Sequence, residues 1–128
     1  MTAEPPVEST IEPERWYSVP EVAEVLGVRD RDVRTMLREG KLLALRRGTN
    51  DAVSIPAELI LEADHPDGPA PLPSLRGTLT VLKDARYTDR EAFEWLYSHH
   101  EELGQAPIAA LLDHRVHAVR RVAQTLAF

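Results

Sequence analysis

The sequence predicts a mainly α fold with one small β-hairpin, arranged as two modules joined by a proline-rich segment. Three observations carry that reading. Between residues 18 and 40, two short stretches of helical apolar spacing are separated by a single glycine, and each opens on a capping residue. Residues 42–46 and 52–55 then form two short apolar runs around the polar turn RGTND. From residue 74 onward apolar side chains recur only at helical spacing, and no strand pattern competes.

The elements follow in order. Residues 1–15, MTAEPPVESTIEPER, hold three prolines and four glutamates with almost nothing to bury, and are expected to form a disordered acidic arm. Ser18 is a good N-cap. Glu21, three residues on, completes a capping box, and Pro20 is tolerated in the first turn. Val22, Val25 and Leu26 supply the apolar stripe of this helix, and Gly27 ends it. Asp30 is expected to cap a second helix over 30–39, which stops at Gly40. The hairpin strands are 42–46 and 52–55, with the turn at 47–51. Pro56 closes the second strand, and 56–61 should start another short helix.

Residues 62–73, EADHPDGPAPLP, carry four prolines and a glycine and read as a linker or an irregular wrap. The C-terminal half then predicts four helices. The first covers 74–85, with Leu75, Leu79 and Leu82 on one face. The second opens on the capping box Thr88-x-x-Glu91 and buries Phe93, Trp95 or Leu96, and Tyr97. A short helix spans 107–112. The last covers 114–126, with Val116, Val119, Val122 or Ala123, and Leu126 on one stripe. The chain thus divides into an arm (1–15), a helix-turn-helix with a hairpin wing (16–61), a linker (62–73) and a helical C-terminal domain (74–128).

Composition narrows the function classes. An apolar fraction of 43% is ordinary for a globular protein, and the absence of cysteine removes disulfides, thiolate catalysis and thiolate zinc sites. No apolar run approaches the ~20 residues of a membrane span, and no basic-then-apolar leader opens the sequence. A cytoplasmic protein with no membrane association is expected. The net charge of −6 argues against a protein that coats nucleic acid indiscriminately. Its distribution matters more. Residues 29–47 hold seven basic against three acidic side chains, a local charge of +4, which leaves −10 on the rest of the chain. A positive patch on a negative body both selects and orients an anionic partner.

At about 100° per residue, Val33, Met36 and Leu37 fall on one arc of the second helix and face the core. Arg31, Arg34, Thr35 and Arg38 fall on the opposite arc, with Asp32 and Glu39 displaced to one flank and Asp30 to the other. Arginine makes bidentate bonds to guanine O6 and N7, and threonine meets a thymine methyl or a phosphate. Each good bidentate contact discriminates by roughly 1–3 kcal/mol. Arg46, Arg47, Thr49 and Asn50 at the wing, Arg29 at the start of the helix and Lys41 just beyond it are expected to contact the sugar–phosphate backbone or the minor groove. The plainer alternative is a solvated basic helix face with an Asp30–Arg34 pair worth a few tenths of a kcal/mol. Against it stands the spacing of Ala23, Gly27 and Val33, which is that of a helix-turn-helix: a small residue for close helix crossing, a turn glycine and a buried β-branched residue.

The run EVAEVLGV…VRTMLREGKLLALRRG…VSIP resembles the winged helix-turn-helix of the MerR and excisionase superfamily. Extended over Trp16 to Phe128 through VAEVLGV, LREGKLLALRR, LTVLKDARYTDREAFEWLY and VRRVAQTLAF, the likeness narrows. The chain is similar to the small actinobacterial winged-helix DNA-binding regulators whose mycobacterial member is a serine/threonine-kinase substrate. The resemblance implies sequence-dependent binding to double-stranded DNA, no enzymatic activity and no cofactor. It also implies an arm open to threonine phosphorylation, with Thr10 the matching type of site and a serine/threonine protein kinase as partner.

Other constellations point elsewhere less well. His99 and His100 are adjacent and diverge on a helix, whereas His114 and His117 beside Asp113 have chelating spacing but lack a second ligand pair, so no metal site is assigned. No phosphate loop, nucleophile elbow or paired-carboxylate motif is present, and no catalytic residue is assigned. Trp16, Tyr87, Phe93, Trp95 and Tyr97 read as core residues that pin short helices, with a ligand pocket as the alternative. The final helix offers a seam for a homodimer. Two rival functions remain: a protein-interaction module built on a vestigial winged scaffold, and an excisionase-like architectural protein that bends DNA.

Overall fold

The computed structural model describes residues 11–127 and holds six α-helices and two small antiparallel sheets among them. The N-terminal half runs β1 (Trp16–Tyr17), α1 (Val19–Leu26), α2 (Asp30–Arg38), β2 (Leu45–Arg47) and β3 (Ala52–Pro56), then a 3-10 turn (Ala57–Leu59). Strands β4 (Ile60–Leu61) and β5 (Ala70–Pro71) follow. The C-terminal half holds α3 (Leu75–Asp84), α4 (Asp89–Leu96), α5 (Pro107–Leu112) and α6 (Val116–Gln124), closed by a 3-10 turn at Thr125–Ala127.

The caps form as their chemistry requires. Ser18 accepts from the Glu21 N–H at 3.2 Å while Glu21 accepts from the Ser18 N–H at 2.8 Å. These bonds hold the Glu21 carboxyl below the usual carboxylate range. Thr88 and Glu91 repeat the same exchange at the start of α4. Gly27, at φ +71°, lets the N–H of Val28 turn back to the Ala23 carbonyl at 3.0 Å, which makes the tight turn between α1 and α2. The second helix differs from expectation at its start: Arg29, not Asp30, is the N-cap, and the Asp32 carboxylate accepts from the Arg29 N–H at 3.1 Å.

The wing is a hairpin in register Leu45↔Ser54, Arg46↔Val53 and Arg47↔Ala52, and β1 adds to the other edge of β3 through Trp16↔Pro56 and Tyr17↔Ile55. The first wing strand therefore starts at Leu45 rather than at 42. Leu42 and Leu43 are instead buried in the core, which absorbs the expected start of the strand. Residues 56–61 do not form the expected helix. After one 3-10 turn the chain straightens, so that Ile60 and Leu61 pair with Pro71 and Ala70.

One further expectation is corrected, and the proline-rich stretch takes one of its two expected forms. The arm is not free up to residue 15. The N–H of Ile11 donates to the Tyr97 carbonyl at 2.8 Å, that of Glu14 to Glu58 Oε2 at 2.9 Å, and that of Ala57 to the Arg15 carbonyl at 3.0 Å. The proline-rich stretch 62–73 is a wrap that carries β5 and buries Leu72. Leu61 and Leu72 belong to one apolar core that runs from Tyr17, Val22 and Val33 through Leu75, Leu79 and Leu96 to Val119 and Ala123. The C-terminal half covers the four expected helices, with α6 set at Val116–Gln124. Val119 and Ala123 of α6 are buried within the chain, while Val116, Val122 and Leu126 of the same stripe are half-buried.

Two phenols tie the N-terminal half, one to the C-terminal half and one to the connecting segment. Tyr97 Oη donates to Glu58 Oε1 at 2.8 Å, and Tyr17 Oη donates to the Glu62 carboxylate. Burial first, and the carboxylate second, push the Tyr17 phenol up to about 12, and the same causes raise Tyr97. A phenol whose folded pKa is raised stabilises the fold below its unfolded value near 10 and loses that contribution as pH rises through the folded value. Urea-unfolding stability should therefore decline as pH climbs above about 10, and less steeply in Tyr97→Phe, which has no proton to lose. Equal slopes for the native chain and the variant would refute this assignment.

Candidate nucleic-acid interface

α2 is anchored by one fully buried side chain, Val33, with Met36 and Leu37 half-buried beside it. Across the turn, Val22 and Ala23 of α1 are buried, and the small Ala23 side chain allows the two helices to approach closely. This anchoring directs Arg31, Arg34 and Arg38 to solvent, with Thr35 half-exposed between them. Arg38 Nη2 donates to Thr35 Oγ1 at 3.1 Å, which holds that guanidinium along the helix face.

The acids around this stripe do not neutralise it. Asp32 is engaged in capping α2, and both Asp30 and Asp32 lie in the first turn, where the helix dipole favours negative charge. Among the described residues, none of Arg29, Arg31, Arg34 and Arg38 enters an ion pair, and the alternative Asp30–Arg34 pair is not formed. A ridge of unneutralised guanidiniums on a short, well-anchored helix has the composition required for a major groove.

At its other end α2 stops in a left-handed turn at Gly40 (φ +78°), where the Lys41 N–H reaches back to the Met36 carbonyl at 2.9 Å. Lys41 then pairs with Glu39 at 3.4 Å, an exposed contact that spends part of its charge locally. Thr49 and Asn50 are exposed at the hairpin tip, and Arg29 is exposed at the N-cap. Thr10 lies outside the described residues.

Arg46 and Arg47 point in different directions. Successive side chains on a strand point to opposite faces. Arg46, opposite Val53, lies toward a cleft beside α3 and α4, and its Nη1 donates to the Asp51 carbonyl at 3.3 Å. Arg47 instead stacks on Trp16, its guanidinium carbon 4.1 Å from the ring centroid. Trp16 in turn meets Phe93 at 5.3 Å and Phe93 meets Tyr97 at 4.7 Å, so a column of rings joins the wing to α4. Local spacing carries no sign of this pairing, because Arg47 and Trp16 are far apart along the chain. Nor did it single out Lys83 and Arg90, which the fold brings to the same cleft as Arg46.

A double-mutant cycle on Trp16→Ala and Arg47→Ala should give a stability coupling of about 0.5–1 kcal/mol. Additive losses would show that the guanidinium merely rests on the ring.

Comparison with known proteins places the fold in a family. Residues 5–60 match the family described as DNA-binding protein Rv2175c, wHTH domain, and residues 72–127 match the Rv2175c C-terminal domain of unknown function. The DNA-binding protein Rv2175c of Mycobacterium tuberculosis is 34% identical over 127 residues, covering 90% of this chain and 82% of that protein. The NMR structure of Rv2175c superposes with a TM-score of 0.78 at 29% identity, over 100% of both chains. With its helix-turn-helix, wing and helical C-terminal domain, the chain belongs to the Rv2175c family of winged helix-turn-helix DNA-binding proteins.

Proposed function

We propose that this chain is a cytoplasmic transcriptional regulator, within the wider MerR and excisionase group of winged-helix proteins, that works by binding duplex DNA and without catalysis. Arg31, Arg34, Thr35 and Arg38 read base edges in the major groove. Arg29, Lys41, Arg46, Thr49 and Asn50 hold the backbone around them, and Arg47 adds a contact from its place on Trp16. The observation that carries this reading is the exposed arginine ridge of α2, unpaired among the described residues, on a chain whose remaining charge is −10.

Neutralising about five phosphates gives a log–log salt slope near −4 to −5. Fluorescence anisotropy on duplexes selected from a random pool tests the division of roles. Arg34→Ala should lose about 1–3 kcal/mol on the selected site and discriminate poorly against single-base changes. Arg46→Ala should weaken all sequences alike and flatten the slope by about one unit. Identical losses from both substitutions would exclude this partition.

A protein kinase is the second proposed partner. Phosphate on Thr10 would add about −1.5 to −2 charges to an arm that already carries Glu4, Glu8, Glu12 and Glu14. The arm then competes with DNA for the arginine ridge. Thr10→Glu should bind DNA more weakly than the native chain at low salt, and indistinguishable affinities would remove this mechanism. A second copy of the chain, paired through the C-terminal helices, is the third proposed partner, and the stoichiometry on a defined duplex measures it.

A further inference from the structure

A cleft of about 510 Å³ opens between the two halves, a volume typical of small-molecule sites. One wall comes from the DNA-binding half: Leu37 and Gly40 at the end of α2, residues 42–46 and Val53 of the wing. The other comes from Leu79 and Lys83 of α3, Tyr87, and Asp89, Arg90 and Ala92 of α4. Its floor is apolar, built on Leu42, Leu43, Leu45 and Leu79, while its rim carries three cations, Arg46, Lys83 and Arg90, against the single acid Asp89. The rim cations are lightly held. Lys83 meets Asp89 at 3.8 Å and Arg90 meets Glu94 at 3.9 Å, both at exposed positions where such pairs contribute little.

We propose that this cleft is a binding site for a small amphipathic organic anion, its apolar body on the leucine floor and its carboxylate, sulfonate or phosphate between Arg46, Lys83 and Arg90. A surface serving DNA phosphates alone has no use for an apolar floor, and a purely apolar ligand has no use for three cations at the mouth. The site has a regulatory consequence, which rests on the DNA reading above: an anion seated against Arg46 withdraws that side chain from the DNA backbone. Ligand and DNA therefore oppose one another, and by linkage each weakens the other by the same factor.

The probe is 8-anilinonaphthalene-1-sulfonate, an anion of this class whose emission rises in apolar surroundings, titrated first into the DNA-free chain. Saturable binding of one probe per chain is expected. Lys83→Glu and Arg90→Glu should each weaken it about tenfold or more, and Ala44→Trp, which fills the cleft, should abolish it. Should Ala44→Trp fail to fold, the two rim variants, both at exposed positions, still decide the matter. Absent or non-saturable binding, or binding indifferent to the rim charges, overturns the site. This arm reads the cleft whether or not the chain binds DNA. In the second arm, saturating probe should lower duplex affinity in the native chain but not in Arg90→Glu. Unchanged duplex affinity with the probe bound overturns the antagonism.

Discussion

One buried valine orients the helix that carries the arginine ridge. α2 is polar almost throughout, and Val33 is its only fully buried residue, held against the face of α1 that buries Val22 and Ala23. Burying such a side chain contributes roughly 1.5–3 kcal/mol, a large share of what a nine-residue helix with no apolar surplus can gain from packing. The geometry on either side leaves little freedom. The left-handed turn at Gly27 sets the angle between α1 and α2, and the turn at Gly40 sends the chain into the core at Leu42 and Leu43 before it reaches the wing. With the valine inward and both ends fixed, the arginines have only solvent to face.

The second constraint is the seam between the halves. Glu58 accepts from the arm at Glu14 through one oxygen and from Tyr97 through the other, so a single carboxylate joins three separate parts of the chain. The column of Arg47, Trp16, Phe93 and Tyr97 runs beside it. Both contacts place the C-terminal helices against the wing instead of leaving them on a tether. The C-terminal domain is thereby part of what positions the winged helix-turn-helix, and the cleft lies between the two halves.

What was legible in the sequence was local chemistry. Ser18 with Glu21 and Thr88 with Glu91 announce helix starts through bonds made within one turn, Pro107 announces α5 through its fixed φ, and each appears where expected. The arginine stripe was legible because a helix converts spacing directly into a face. What stayed hidden depends on partners distant in the chain. Strands of two residues, such as β1, β4 and β5, show no periodicity and exist only because β3 or each other supplies the hydrogen bonds. Residues 11–15 look unburiable in composition, yet they are held by backbone groups, which composition does not report. Arg46 and Arg47 read as one basic tip, and strand alternation, together with the position of Trp16, separates them.

Electrostatics complete the account. The body repels DNA, so only an approach that brings the +4 segment first is favourable, and the same repulsion limits wrong orientations. The most direct test maps backbone amide shifts on the ¹⁵N-labelled chain as a short selected duplex is added. The largest changes should fall on α2 from Arg31 to Arg38 and on the wing tip, with α5 and α6 nearly silent. Shifts concentrated on the C-terminal helices, with α2 unmoved at saturation, would contradict the account at its foundation.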